Sequence, residues 1–376
     1  MNFTDEERKQ RLGEILKDIH SKIPNSKKDF SKVGNYEFKT GSINGEKIKR
    51  VIIYLRSSGC EWMLNDENGG CSICGHIAGT ANGRRVEAES YIKQFDEIIS
   101  EIDLTGVRMI SVYNAGSFFN DNEIPEKARI HIFKKISELN QIETVIFESR
   151  PEYISEDKMS IMKNILYDKR VEIGVGLESS DAYIREMCVN KGFKADDFYN
   201  ASKIMKKNNV YLLVYVLQKP PFVSEKLAIK DSVNTIKWAF ENGADIISLE
   251  PVSVQKNTLI NLLYKMGLYR PSWIWSVVEV IKNVSDLGLV RVGGFEFFPT
   301  ADIFTHNCPE CDEEYIDAIE SYNATNKLDK ILEALEHPCT RCYSEWKSAL
   351  SGNSSVRDNI DTFLNAFDKE KLNFYL

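Results

Sequence analysis

Eight cysteines stand in this chain, at positions 60, 71, 74, 188, 308, 311, 339 and 342. They form a group of three, a group of four and one left over. Cys60, Cys71 and Cys74 are spaced C-x10-C-x2-C within the stretch CEWMLNDENGGCSICGH. A cubane iron–sulfur cluster takes four ligands, usually thiolates. Three thiolates leave one iron open, and an open metal position can take a substrate or cofactor. Gly59, Gly69 and Gly70 supply turns that let so long a loop fold back. Two alternatives stay open. A zinc knuckle would ask for a second C-x2-C close by, and a redox C-x-x-C at a helix start would need no third cysteine. Residues 17–32, with five lysines against two aspartates, read as a solvated surface or as a contact for an anionic partner.

Cys308, Cys311, Cys339 and Cys342 follow C-x2-C-x27-C-x2-C, the paired-knuckle pattern of a tetrahedral metal. Structural zinc is the first expectation and an auxiliary iron–sulfur cluster the rival. His306 is expected behind the ligands rather than among them, and Cys188 as a packed free thiol. Cysteines grouped in this way point to metal in a reducing compartment rather than to disulfides. The start, MNFTDEERKQRLGEILKDIH, reads as an amphipathic helix and not as a signal peptide. No apolar run approaches the roughly 18 residues of a spanning helix. A cytoplasmic protein without membrane association is expected. The formal charge of −8 argues against tight nonspecific DNA binding.

The elements that must position these residues have a rhythm. VIIYL (51–55), MISVY (109–113), TVIFE (144–148), VEIGVGLE (171–178), YLLVYVL (211–217), DIISLE (245–250) and LVRVGGFEF (289–297) read as buried strands. Helical patterns such as IPEKARIHIFKKISELN (124–140) lie between them. Strand and helix in alternation give an α/β fold with a parallel sheet covered by helices, and such folds carry their chemistry at the C-terminal strand ends. With 376 residues, 43% of them hydrophobic, a barrel with appendages is within reach. The rhythm stops near residue 300. The expected division is a helical, then loop-like extension over 1–45, a barrel over 46–300, and a four-cysteine metal-binding unit over 301–376.

The strand ends are polar. Asn114, Gly116 and Ser117 lie where small residues and free N–H groups permit close approach to a ligand, or form an ordinary tight turn. Glu148 and Arg150 end the third strand, and Arg150 is suited to a bidentate contact with a carboxylate or phosphate. Glu178 and Ser179 end the fourth and could bond ribose hydroxyls. Structural ion pairs or helix caps are the alternative for each. Lys219 and Gln255 face substrate or serve as packing polar groups. YRPSWIWSVVEVIK (269–282) reads as a proline-started helix packed on the barrel, with base stacking the lesser alternative.

Beside the cysteine loop stand YNAGSFFNDNEIP (113–125), ESRPEYI (148–154), GLESSDAYIREMCVNKGF (176–193), LQKPPFVSEKLAI (217–229), VQKNTLINLLYKMGLYRPSWIWSVVEVIK (254–282) and HNCPECD (306–312). Together these strings resemble the radical S-adenosylmethionine subunit of archaeosine synthase, from about residue 50 to the C-terminus. The wider superfamily uses C-x3-C-x2-C; the extended first gap fits this subfamily. The resemblance implies a partial (β/α) barrel of the radical SAM type. It implies a [4Fe–4S] cluster on Cys60, Cys71 and Cys74, with S-adenosylmethionine on the open iron as the source of a 5′-deoxyadenosyl radical. Asn114, Gly116, Ser117, Glu148, Arg150, Glu178 and Ser179 then face the cofactor end, and Ile73 the adenine. The implied substrate is tRNA whose position-15 deazaguanine carries a lysine attached through its ε-nitrogen. The lysine carbon–nitrogen bond is broken and the formamidine, archaeosine, remains. Implied partners are tRNA, the lysine-transferring archaeosine synthase subunit, and an electron donor such as flavodoxin or ferredoxin. Two other readings stay open: the same radical chemistry on a different small molecule or peptide, and a non-catalytic zinc-bound RNA-binding protein.

Overall fold

The computed structural model describes residues 2–23, 29, 30, 32, 34–43, 45–65, 67, 69–295, 300–336 and 338–375. Eight strands form one sheet in sequential order: β1 (Asn35–Ile43), β2 (Glu46–Tyr54), β3 (Val107–Tyr113), β4 (Thr144–Glu148), β5 (Arg170–Glu178), β6 (Tyr211–Gln218), β7 (Ile246–Pro251) and β8 (Leu289–Val292). From β2 to β8 the pairing is parallel throughout. This is the expected partial barrel.

Side chains alternate across each strand, and the two faces have separate cores. Val51, Ile53, Ile110, Val112, Val145 and Phe147 point outward beneath the helices. Ile48, Met109, Ile146, Leu213 and Ile246 point inward and close the barrel floor. The helix Glu126–Ser137 shows how the outer layer forms. Ala128, Arg129, Ile132, Phe133 and Ile136 recur three and four apart and are its buried face. There Phe133 meets Phe147 of β4 edge-on, with ring centroids 5.4 Å apart.

Two segments differ from the expectation. Residues 35–43 are not loop-like: they form β1, which pairs antiparallel with β2 over its whole length. NYEFKTGSI is half exposed at the sheet edge, so it lacks the apolar run that marks the inner strands. The final strand ends at Val292, short of the expected 297; residues 296–299 lie outside the described residues.

The expected N-terminal helix is present over Asp5–Ser21, opened by a Thr4–Glu7 capping box. Arg8 joins it to the far end of the chain through a two-pronged contact with Asp361, at 2.7 Å on each oxygen. Beyond residue 300, the helix Asp312–Thr325 lies along the open side of the barrel, between β8 and β1. Asn323 bonds both backbone groups of Val292 at 2.7 Å, and the Ser42 hydroxyl donates to the Ala324 carbonyl at 3.2 Å. Trp275, on the helix Ile274–Val284, is buried against Tyr315, Tyr343 and Trp346. The tryptophan-rich stretch is therefore a packed helix, and residues 301–376 share a core with the barrel. Among the described residues, no helix is long and apolar enough to cross a membrane.

Candidate active site at the barrel mouth

The loop after β2 brings Cys60, Cys71 and Cys74 to one wall of a cavity of ≈ 1140 Å³. Its ten-residue excursion is held at several points. Gly59, Gly69 and Gly70 all adopt the left-handed backbone conformation expected of turn glycines. Met63 folds back so that its sulfur accepts from Cys71 N at 3.0 Å. The other anchor is the π-helical turn Ile184–Val189 and the residues after it. Ser72 N donates to the Val189 carbonyl at 2.9 Å and the Ser72 hydroxyl to the Cys188 carbonyl at 2.6 Å. Asn190 Nδ2 donates to Gly70 O at 2.7 Å, and Trp62 Nε1 to Asn190 O at 2.8 Å. Cys188 is buried and its thiol unbridged, as expected. Burial pushes the Cys60 and Cys74 thiols up to about 12, reinforced by Glu123 at Cys60 and by Cys71 at Cys74. A metal cation among the three sulfurs would favour their thiolate forms.

The segment after β3 is organised by a residue the sequence reading passed over. The Glu123 carboxylate accepts from Ser117 N and from Asn114 Nδ2 (3.3 Å), and also from Glu61 N (2.9 Å) and Asn120 Nδ2 (3.1 Å). It therefore ties the residue after Cys60 to the small-residue turn. Burial pushes its carboxyl up to about 7. Ala115 and Gly116 face the cavity, Ala115 with φ 52°. A Cβ on Gly116 would collide with Glu123 and crowd Cys60 Cα at 3.1 Å. The side chains of Asn114 and Ser117 are buried behind the turn, and Asn114 Oδ1 has no hydrogen-bond partner among the described residues.

Glu148, Arg150 and Glu178 line the cavity. Glu148 accepts from the Tyr215 hydroxyl at 2.8 Å. Arg150 is turned into the wall: it pairs with Glu152 at 2.5 Å, donates to the Lys191 carbonyl at 2.8 Å, and lies 5.0 Å from the Trp62 ring centroid. It thus braces both the cysteine loop and the segment that holds it. A register shift between Gly176 and Glu178 ends β5, and Glu178 takes φ 67°. Such a bulge re-aims a side chain; here the carboxylate meets Lys191 Nζ at 2.6 Å. Ser179 is buried with its hydroxyl on Asp231 at 2.8 Å, facing away from the cavity lining. Lys219 is spent in a buried pair with Glu225 at 2.6 Å. Gln255 does line the cavity, accepting from Gly75 N at 2.9 Å, and Ile73 lines it beside Cys74.

The four C-terminal cysteines also converge. Sulfur–sulfur distances are 3.4 Å for Cys308–Cys311, 3.9 Å for Cys308–Cys339 and 3.5 Å for Cys311–Cys342. Metal–sulfur bonds of about 2.3 Å in a tetrahedron put sulfurs about 3.8 Å apart. The Cys308, Cys311 and Cys342 sulfurs lie within 4.8 Å of one another and could hold an ion, while Cys339 is that close to Cys308 and Glu310 but not to Cys311 or Cys342. His306 is turned aside, its Nδ1 on the Phe304 carbonyl at 2.8 Å.

A partial barrel that delivers three thiols to the mouth of its own cavity is the architecture of a radical S-adenosylmethionine enzyme. Sequence comparison narrows the class. No protein-family model matches the chain. The archaeosine synthase subunit beta of Methanosarcina acetivorans is 32% identical over 318 residues, 83% of this chain and 88% of that protein. The subunit of the same name from Thermococcus kodakarensis is 27% identical over 320 residues, 81% of this chain and 93% of that one. The chain belongs to the archaeosine synthase subunit beta family. Among solved structures, the archaeal Elp3 of Methanocaldococcus infernus matches with a TM-score of 0.46 and 18% identity, over 62% of this chain and 59% of that one. That likeness is too loose to bear on the site.

Proposed function

We propose that this protein breaks the lysine carbon–nitrogen bond of the lysine-modified deazaguanine at tRNA position 15, leaving the nitrogen on the base as the formamidine. The observation that carries this reading is the cysteine triad, held by the loop from Gly59 to Gly75 on the wall of the barrel cavity, in a chain of this family.

Cys60, Cys71 and Cys74 would hold a [4Fe–4S] cluster. The donor set supports this: soft sulfurs suit iron, and the three cysteines line one cavity together with Ala115 and Gly116. When bound, the cluster and S-adenosylmethionine supply a carbon-centred radical able to take a hydrogen atom from the substrate. The chain's own residues do the rest. Glu123 fixes the Asn114–Ser117 turn against the cysteine loop, and Arg150 braces that loop from the opposite side. The Glu178–Lys191 pair offers both a carboxylate and an ammonium to polar groups at the mouth. Below, the apolar floor and the helix Asp312–Thr325 keep water from the radical and hold the reacting carbon in place. Glu148 can hold a proton near neutrality, because burial pushes its carboxyl up to about 7.

Cys308, Cys311, Cys339 and Cys342 would hold one structural zinc, a reading supported by the close grouping of the Cys308, Cys311 and Cys342 sulfurs, with Cys339 3.9 Å from Cys308. Partners on this reading are tRNA, the lysine-transferring subunit, and flavodoxin or ferredoxin as electron donor. The deciding experiment is anaerobic reconstitution with iron and sulfide, followed by 5′-deoxyadenosine assay with lysine-modified and unmodified tRNA. Formation that depends on the modified tRNA, and is lost in Cys71→Ala, is expected. Turnover indifferent to the lysine would overturn the substrate. Absence of both cluster absorbance and deoxyadenosine would overturn the enzyme. Cys339→Ala should chiefly lower zinc content and melting temperature.

A further inference from the structure

Most charges inside the barrel are paired with one another. Lys191 meets Glu178 at 2.6 Å, and Arg291 meets Glu172 at 3.1 Å. Six cavity-lining charges have no ion-pair partner among the described residues; Lys47 and Glu320 are exposed and Arg56 donates to the Asp29 carbonyl, which leaves Arg50, Glu148 and Glu250 inside. The Arg50 guanidinium donates to two hydroxyls, Ser111 Oγ at 2.9 Å and Tyr113 at 2.6 Å, and has no carboxylate partner among the described residues. Glu148 accepts from the Tyr215 hydroxyl at 2.8 Å, and Glu250 from the Ser248 hydroxyl at 2.6 Å; neither has a cationic partner among the described residues. Charges desolvated and left unmatched are costly, and a cavity that keeps both signs unmatched is shaped for a ligand bearing both.

The three span the depth of the cavity: Glu148 is the last residue of β4 and Glu250 the penultimate residue of β7, whereas Arg50 lies lower. Arg50 leaves β2 four residues before its end at Tyr54, roughly 13 Å down the strand. Two glycines face the cavity here, Gly174 in β5 and Gly293 just past β8. A Cβ at Gly293 would run into the Glu250 carboxylate and one at Gly174 into the Tyr215 ring, so space is kept open around both groups. Burial raises Glu148 and Glu250 to about 7, while Arg50 draws both downward. The three groups therefore share one field.

The geometry points to Arg50, Glu148 and Glu250 as the receptor for the α-amino-acid head of the substrate's lysine, the guanidinium taking its carboxylate and the two glutamates its ammonium. This rests on the functional reading above. A lysine joined to the base through its ε-nitrogen keeps that head free, at the far end of a flexible four-carbon chain. Anchoring it below would draw the bond to be broken up toward the barrel mouth.

The probe is Nε-acetimidoyl-L-lysine, with two truncated forms: the cadaverine derivative, which lacks the carboxylate, and the 6-aminohexanoate derivative, which lacks the α-amine. Binding to the full-length, cluster-reconstituted protein is measured by calorimetry with S-adenosylmethionine present. The wild type is expected to prefer the whole probe to either truncated form by about tenfold or more, the size of one charge-assisted contact. Arg50→Met should erase the preference over the cadaverine derivative, and Glu250→Gln that over the hexanoate. Affinity for S-adenosylmethionine, measured separately, should stay within about twofold. Equal binding of the three probes by the wild type, or no binding, overturns the assignment. So do variants that lose S-adenosylmethionine while keeping the probe preferences, since the trio would then serve the cofactor. Deoxyadenosine formation with lysine-modified tRNA is followed on the wild type in parallel. If it responds while the probe preferences fail, the head-group assignment falls and the functional reading stands. If it does not respond, the functional reading falls and takes this assignment with it.

Discussion

Asn323 serves Val292 as a neighbouring strand would. Its Oδ1 accepts from Val292 N and its Nδ2 donates to Val292 O, both at 2.7 Å. A helix side chain thus satisfies the exposed edge of β8, where the barrel would otherwise open toward β1. Asn323→Ala should cost about 2 kcal/mol through two lost backbone bonds, read as a lower urea midpoint. Amide exchange should quicken at Val292 first. Asn323→Asp, which keeps the acceptor and loses the donor, should fall between.

Asn190 carries a second such duty, at the cysteine loop. It sits at φ 55° and reaches Gly70 O from there. Asn190→Ala loses the bond and leaves a β-carbon in a left-handed conformation, together about 2 kcal/mol. Iron retained per chain after reconstitution should drop with it. Asn190→Gly relieves the backbone but not the bond, and should recover only part of the iron.

Glu123→Gln tests the clamp behind the small-residue turn. Each oxygen of the carboxylate faces N–H donors, so an amide must turn its own N–H₂ toward one pair of them. A loss of about 2 kcal/mol is expected, with affinity for S-adenosylmethionine weakened about tenfold. Unchanged affinity would remove this carboxylate from the site.

His20 supplies a pH dependence. It packs against Gly70, both ring nitrogens lack partners among the described residues, and burial lowers its pKa from 6.5 to about 4. The folded value lies below the unfolded one, so between them the unfolded chain binds more protons. Stability from this group is intact above the unfolded pKa and declines as pH falls toward the folded one, by up to about 3 kcal/mol. Comparing urea midpoints at about pH 7.5 and about pH 5 for wild type and His20→Phe checks it; the substitution should remove that part of the acid sensitivity.

What the sequence disclosed follows from what each element must bury. The strands from β2 to β8 are covered on both faces and read as apolar runs. β1 is an edge with one face in water, and NYEFKTGSI therefore looks like a loop. The cysteine groups were legible because metal chemistry fixes residue type and spacing. Glu123 was not, because NDNEIP reads as a turn and its partners at Glu61 and Asn114 meet it only through the fold. The same holds for Ser179, drawn to Asp231 by a helix more than fifty residues on. Glu250 left a faint trace, as the one charge after the apolar run of IISLE, whereas Arg50 follows Glu46, Lys47 and Lys49 and lies outside the run VIIYL that marked its strand.

Cys311 stands directly before the helix Asp312–Thr325, and that helix supplies Ile319, Glu320, Asn323 and Ala324 to the cavity wall. If the cluster and the zinc are bound as proposed, the protein would depend on metal twice, once to start a radical and once to contain it. A chain that kept its iron but lost its zinc would still cleave cofactor, yet spill the radical into solvent through an unsealed seam. Zinc starvation would then appear as wasted S-adenosylmethionine before it appeared as a dead enzyme.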